Sequence, residues 1–397
     1  MFDFETIHNR QAWSAVKWAK YRGREVLPLW IADMDFPAPP PVAEALAAQL
    51  AHGIFGYTAP SPDLADVLVD DHWQRYGWQV DPSWITWLPG LVLGLNLAVQ
   101  ACCAPGERVV SFSPVYPPFL DSPGWQGREL VNIPFKPLDD AGTELAIDFE
   151  RLAEAVRPTT DADGTPGPAT RLLLLCHPHN PIGRLFSDDE LERLAVFCEQ
   201  HGLYVCSDEV HCDLVLDGRT PHHPFARLVA ERSPALLART ITLHGPSKTY
   251  NIAGLGIAWA IIPDAGLRRR FRAAMRHLVP SPCCFAYTAL RAVFTSCEPW
   301  RQALLDRLRE NRDLVDAALT RMGLAHTRPT VGFLIWIDAR ELAREVGNAA
   351  NWFETHGVGL SDGGDFGSPG YLRLNFAAPP SLLNEALARM ERAMASR

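Results

Sequence analysis

The chain predicts an α/β fold: a mostly parallel sheet, doubly wound, with helices on both faces. Three observations predict it. Short, continuous apolar runs recur through the middle of the chain, at RVVSF, LLLLC, LYVCS, TITL and IAWAII. Unbroken apolar strands, rather than alternating ones, belong to sheets buried on both sides. Stretches of helical spacing separate most of these runs, the alternation that builds parallel pairs through crossovers. Finally, 397 residues are too many for one simple core and fit two domains, or one large domain with a smaller partner.

The elements follow in order. APPP, Ala38 to Pro41, breaks the chain sharply after PLWIADMDF, so the first forty or so residues read as an arm. PVAEALAAQLAHG is helical and stops at Gly53. WLPGLVLGLNLAV is a turn entering a helix. RVVSF is a strand, as is LLLLC at Leu172 to Cys176. ELERLAVFCEQHG has helical spacing with a glycine stop at Gly202, and the strands LYVCS, TITL and IAWAII come after it. PDAGLRRRFRAAMRHL reads as a basic helix with its charges to solvent. EPWRQALLDRLRENRDLVDAALTRMG is one long amphipathic helix ended by Gly323, long enough to join two domains. GFLIWIDA, NAANWFETHG and GYLRLNF then suggest a small α/β unit. The expected division is a large domain over 46–285 and a small domain made of 1–45 with 286–397.

Composition excludes several classes. The net charge is −9 and no basic block occurs, which argues against nucleic acid or an anionic membrane as partner. No apolar run spans a bilayer, and MFDFETIHNR lacks the basic start and apolar core of a signal peptide. The nine cysteines include no Cys-x-x-Cys pair and read as buried free thiols in a reducing cytoplasm. Cys102–Cys103 and Cys283–Cys284 read as small helix-packing residues, and PHHP, Pro221 to Pro224, as a polar loop.

Open parallel sheets bind ligands at the carboxyl ends of their strands. After LLLLC comes HPHNPIG with Asn180; after LYVCS comes DEVH with Asp208 and His211; after TITL comes HGPSKTYNIAG with Lys248. The PGLVLG turn offers free backbone amides to a phosphate. Tyr116 stands in SPVYPPF, and Arg373 sits mid-strand in YLRLNF. Singly, each has an ordinary explanation: a turn asparagine, a capping aspartate, a packed aromatic, a structural arginine. Together, a phosphate cradle, an aromatic plate, an amide, a carboxylate and a lysine match the needs of pyridoxal phosphate. A zinc hydrolase built on His177, His179, Asp208, His211 and His244 is the distant alternative. It lacks a metal-binding His pair on a helix and leaves Lys248 and Arg373 unexplained.

The order of PG plus helix, Tyr, NP, SDE and SK resembles the fold-type I pyridoxal-phosphate superfamily of the aminotransferases. LPLWIADMDF, Gly56–Tyr57, SDEVHCDL and PSKTYNIAGL narrow this to the cystathionine β-lyase-like C–S lyases of the MalY/PatB type, over essentially the whole chain. The resemblance implies a homodimer with shared active sites and β-elimination from L-cysteine thioethers. It implies that Lys248 bonds the cofactor and later acts as base, and that Asp208 keeps the pyridine nitrogen protonated. Asn180 would meet the ring's 3′ oxygen, with His211 where many relatives have tyrosine for that oxygen. Tyr116 would stack on the ring. Gly90, Leu91, Val92 and Ser247 would hold the phosphate, with Tyr57 reaching the neighbouring subunit's phosphate. Arg373 would clamp the substrate carboxylate, and Trp30 and Ala32 would shape the side-chain pocket. Two departures stand out: Gly245 and Gly256 occupy positions where many aminotransferases carry a phosphate-binding serine and arginine. An aminotransferase is the nearest alternative activity, and some members of the group also bind regulatory proteins.

Overall fold

The structure is a computed structural model that describes residues 2–13, 15–140, 142–160, 164, 166–218 and 221–397. Seven strands form the central sheet: β1 (Ile85–Leu88), β2 (Arg108–Ser113), β3 (Glu129–Pro134), β4 (Thr170–Cys176), β5 (Tyr204–Asp208), β6 (Thr240–His244) and β7 (Ala258–Ile261). Their spatial order is β1-β7-β6-β5-β4-β2-β3. The pairs β3/β2, β2/β4, β4/β5 and β5/β6 are parallel. The strand β7 runs antiparallel to both β6 and β1. Its direction follows from the connection before it: residues 245–257 carry a single 3-10 turn at Ala253–Leu255 and no helix to cross the sheet.

By contrast, the β4–β5 crossover is helical. Ser187 and Glu190 form a reciprocal capping box at the start of the helix Asp188–Gln200, whose Leu191, Leu194, Ala195 and Cys198 face the core. The helix Leu91–Cys102 lies so close to the sheet that a Cβ on Gly94 would sit 2.9 Å from the Leu243 side chain. Only glycine permits that approach, which brings the start of this helix to the rim where β4, β5 and β6 end.

A second sheet contains β8 (Leu334–Asp338), β9 (Ser361–Asp362) and β10 (Tyr371–Asn375), antiparallel in the order β8-β10-β9. It lies beside the 24-residue helix Glu298–Arg321 and the C-terminal helix Pro380–Ala395. The N-terminal arm is tied to this part of the chain: Leu27–Pro28 pairs in parallel with Val358–Gly359. In the basic helix Ala265–Met275, Arg272 does more than face solvent, since it donates to the Thr86 hydroxyl and the Ile85 carbonyl. All nine cysteines are unbridged; seven are buried, whereas Cys283 is exposed and Cys284 half-buried, so that pair does not pack as the sequence suggests.

Candidate active site

Three strands of the central sheet end side by side, and their loops turn into one cavity of about 190 Å³. Its lining includes Ala32, Gly90, Leu91, Val92, Tyr116, Asn180, Asp208, His211, Ser247 and Lys248. Ten of the residues singled out in the sequence therefore converge, from six separate stretches of chain.

The charges in it are held sparingly. The half-buried Lys248 amine donates to the Ala32 carbonyl at 2.9 Å. The enclosing protein, and after it the Arg373 charge, pull its pKa below the ordinary lysine value. Asp208 is buried, and its Oδ1 accepts the Val210 N–H at 3.1 Å. Burial with so little compensation pushes the carboxyl up to about 6. His211 is pushed down to about 3 by burial and then by the Lys248 and Arg373 charges, so its ring is neutral near pH 7. Its Nδ1 is buried without a partner. Burial also raises the Tyr116 phenol.

Arg373, on β10, is 4% exposed and lies just behind this cavity. Its Nη1 donates to Asn180 Oδ1 at 3.1 Å and its Nη2 to the Trp30 carbonyl at 2.9 Å, while Nε has no partner. Burial brings its pKa down to about 10. Trp30 contributes that carbonyl, but its indole turns elsewhere and donates to the Lys17 carbonyl at 3.1 Å. Tyr57 is fully exposed and remote from the cavity lining of its own chain.

The helix Leu91–Cys102 starts at Gly90 with no side chain capping its first N–H groups, which leaves them open to an anion. Gly256 adopts φ +63°, and a Cβ there would lie 3.1 Å from the Pro89 carbonyl. A side chain at that position is strained whatever its size, which disfavours the arginine found there in many aminotransferases. A Cβ on Gly245 would meet its neighbours at 3.4 Å, an ordinary contact.

Sequence reasoning missed what lies behind Asp208. Glu209 is wholly buried and accepts from His222 Nε2 at 2.8 Å, the Ser207 hydroxyl at 2.8 Å and the Phe225 N–H at 3.1 Å. His244 Nε2 is 3.5 Å away. Burial alone would raise this carboxyl, but its histidine partners outweigh it and hold it far below the usual range. PHHP is therefore not merely a polar loop, because its His222 is 3% exposed and plugs this network. No local signal marks that pairing. Two histidines of the zinc alternative are engaged otherwise: His179 bonds the Cys176 and Pro114 carbonyls, and His177 the His223 carbonyl. Among the described residues no group of three or more His, Cys, Asp or Glu is placed to hold a metal ion.

A buried carboxylate with unused accepting capacity, a lysine of lowered pKa, an amide and a row of uncapped N–H groups on one cavity fit pyridoxal phosphate. They supply a partner for a pyridinium, an amine for an aldehyde, a donor set for a ring oxygen and a seat for a phosphate. The chain belongs to the class I and II aminotransferase family, whose pattern matches residues 24–390. Within it, the chain is 35% identical over 406 residues to cystathionine beta-lyase PatB of Bacillus subtilis (strain 168), covering 99% of this chain and 100% of that protein. Its fold is similar to the crystal structure of OvoB, with 40% identity, full coverage of both chains and a TM-score of 0.92. It is also similar to cystalysin from Treponema denticola, whose structure contains pyridoxal 5′-phosphate: 28% identity, 100% of this chain and 99% of that one, TM-score 0.90.

Proposed function

We propose that this protein is a pyridoxal-phosphate-dependent carbon–sulfur lyase of the cystathionine β-lyase kind. It splits L-cysteine thioethers into a thiol, pyruvate and ammonia. The observation that carries this reading is the meeting of Lys248 and Asp208 on one cavity, in a chain whose full length aligns with a cystathionine β-lyase.

Bound there, the cofactor supplies a sink for the electron pair left on the substrate Cα. Lys248 would hold it covalently through its amine. Asp208 would carry the charge that keeps the ring nitrogen protonated, and Asn180 and His211 would serve the ring's 3′ oxygen. Tyr116, on the cavity lining, would stack on the ring. The amides of Gly90, Leu91 and Val92, with the Ser247 hydroxyl, would seat the phosphate, and Tyr57 would reach the phosphate of the neighbouring subunit. Arg373 clamps the α-carboxylate through two N–H groups; Trp30 and Ala32 border the side-chain pocket. The Lys248 amine would take the Cα proton; the Cα pair would then form a Cα=Cβ bond as the thiolate leaves with the C–S bonding pair, and water would convert the released enamine to pyruvate and ammonia.

The same reading divides the chain into a large domain, 46–285, and a small domain, 1–45 with 286–397. It makes the protein a homodimer, supported by the exposed Ile54, Phe55 and Tyr57. It places the protein in the cytoplasm, supported by nine unbridged cysteines, and without a nucleic-acid partner, supported by the net charge of −9. No helix among the described residues is long and apolar enough to cross a membrane. The test is a visible spectrum with product analysis. A yellow protein that releases pyruvate and thiol from L-cystathionine is the expected result. A new amino acid formed from an added keto acid, without pyruvate release, would make it an aminotransferase instead.

A further inference from the structure

Ala32, which lines the cavity and receives the Lys248 amine on its carbonyl, belongs to the segment Trp30–Phe36, which is neither helix nor strand. Its backbone groups have no ladder to pair with: the Asp33 and Asp35 N–H groups reach the Ile31 and Ala377 carbonyls, and several of its own carbonyls are met by side chains from distant parts of the chain. Asn375 donates to the Ile31 and Asp33 carbonyls, and Asn251 to those of Met34 and Phe36. At the centre stands Lys17, wholly buried, with its amine 2.6 Å from Asp35 Oδ2 and 2.9 Å from the Asp33 carbonyl. Asp35 Oδ1 accepts from Arg10 and from the Trp18 indole.

We propose that Lys17 is a positioning residue for the reaction: through Asp35 and the Asp33 carbonyl it fixes the pocket wall whose Ala32 carbonyl holds the Lys248 amine. The proposal rests on the lyase reading for its kinetic consequence, though not for its structural one. Burying an ammonium costs several kcal/mol before pairing, and an apolar pair of similar volume would pack as well. What the ion pair adds is direction. The Lys17 ammonium satisfies two acceptors of this segment at once, one on each side of Met34, and shares the Asp33 carbonyl with the Asn375 amide, so it ties the segment's one buried carboxylate to its backbone. Ala32 adjoins the clamped Asp33. A base displaced by about 1 Å loses on the order of 100-fold in rate.

The chain has four lysines, which makes the test tractable. Two variants are compared with the wild type: Lys17→Met, and the double variant Lys17→Met with Asp35→Leu, which removes the charge pair without leaving an unpaired carboxylate. In the holoenzyme, kcat for L-cystathionine is expected to fall about 10- to 100-fold while KM changes far less. In the cofactor-free full chain, acetic anhydride is expected to acylate Lys248 several-fold faster than in wild type, with exposed Lys136 as the internal reference. If the single variant fails to fold, the double variant decides. A folded variant with wild-type kcat, or with an unchanged ratio of Lys248 to Lys136 labelling, overturns the proposal. Should the wild type release no pyruvate, the lyase reading fails, and the labelling ratio alone still decides the place of Lys17.

Discussion

The molecule buries two lysine–aspartate sets within one neighbourhood and treats them oppositely. In the arm, Lys17 and Asp35 are 2.6 Å apart, and Asp35 also takes hydrogen bonds from Arg10 and Trp18. Burial would raise that carboxyl, but the Lys17 charge and these donors outweigh it, and its pKa falls below the usual value. In the cavity, Asp208 receives one backbone N–H and Lys248 reaches one carbonyl. There burial wins: the acid rises to about 6 and the amine falls. A satisfied buried pair fixes a shape. An under-satisfied one is poised to exchange its partners for a ligand.

This contrast can be broken at several points, the largest effect first. Lys248→Ala is expected to lower turnover by about 1,000-fold or more, because it removes both attachment and base; substantial pyruvate release by that variant would remove Lys248 from the chemistry. Asp35→Ala leaves the Lys17 ammonium buried and unpaired, and is expected to cost about 3–5 kcal/mol of stability. Chemical denaturation measures it, and a loss below about 1 kcal/mol would mean that water or a neighbour replaces the carboxylate.

Asp208→Asn sharpens the comparison because its two effects have opposite signs. The Asp208 carboxyl has a raised pKa in the folded chain, so the folded state binds its proton more tightly than the unfolded state does. Stability of the cofactor-free protein therefore falls as pH rises from about 4 through about 6, and above that the charge costs roughly 3 kcal/mol. The asparagine variant is expected to be more stable than wild type at pH 7 without cofactor, and close to it at pH 4, while its turnover is lost. Thermal melts at both pH values check the sign.

Smaller effects test the edges of the site. Arg373→Ala is expected to raise KM about 10- to 100-fold, the worth of a charge-assisted pair, with a lesser fall in kcat; an unchanged KM would free Arg373 from the carboxylate. Gly256→Ala is expected to cost about 1–2 kcal/mol, since it forces a side chain into the left-handed region against the Pro89 carbonyl.

Much of this was legible in the sequence, and for local reasons. RVVSF, LLLLC, LYVCS and TITL are unbroken apolar runs because both faces of the parallel strands are covered, and β2, β4, β5 and β6 lie where those runs fall. Asn180, Asp208, His211 and Lys248 follow the ends of such runs, and the parallel order brings those ends to one rim. What a residue does next to its own strand is written in its neighbours along the chain. The direction of β7 was not legible, because it depends on the loop before it making no crossover. Nor was the role of Lys17, which looks like any helix lysine until Asp35 and the Asp33 carbonyl close on it. His222 in PHHP reads as solvent-facing until Glu209 is placed beneath it. These are contacts between side chains whose separation in sequence says nothing of their separation in space. Apolar periodicity determined which strands form and which residues reach the rim; only the packed structure decided which buried charges find partners, because pairing depends on ångströms that no spacing along the chain encodes.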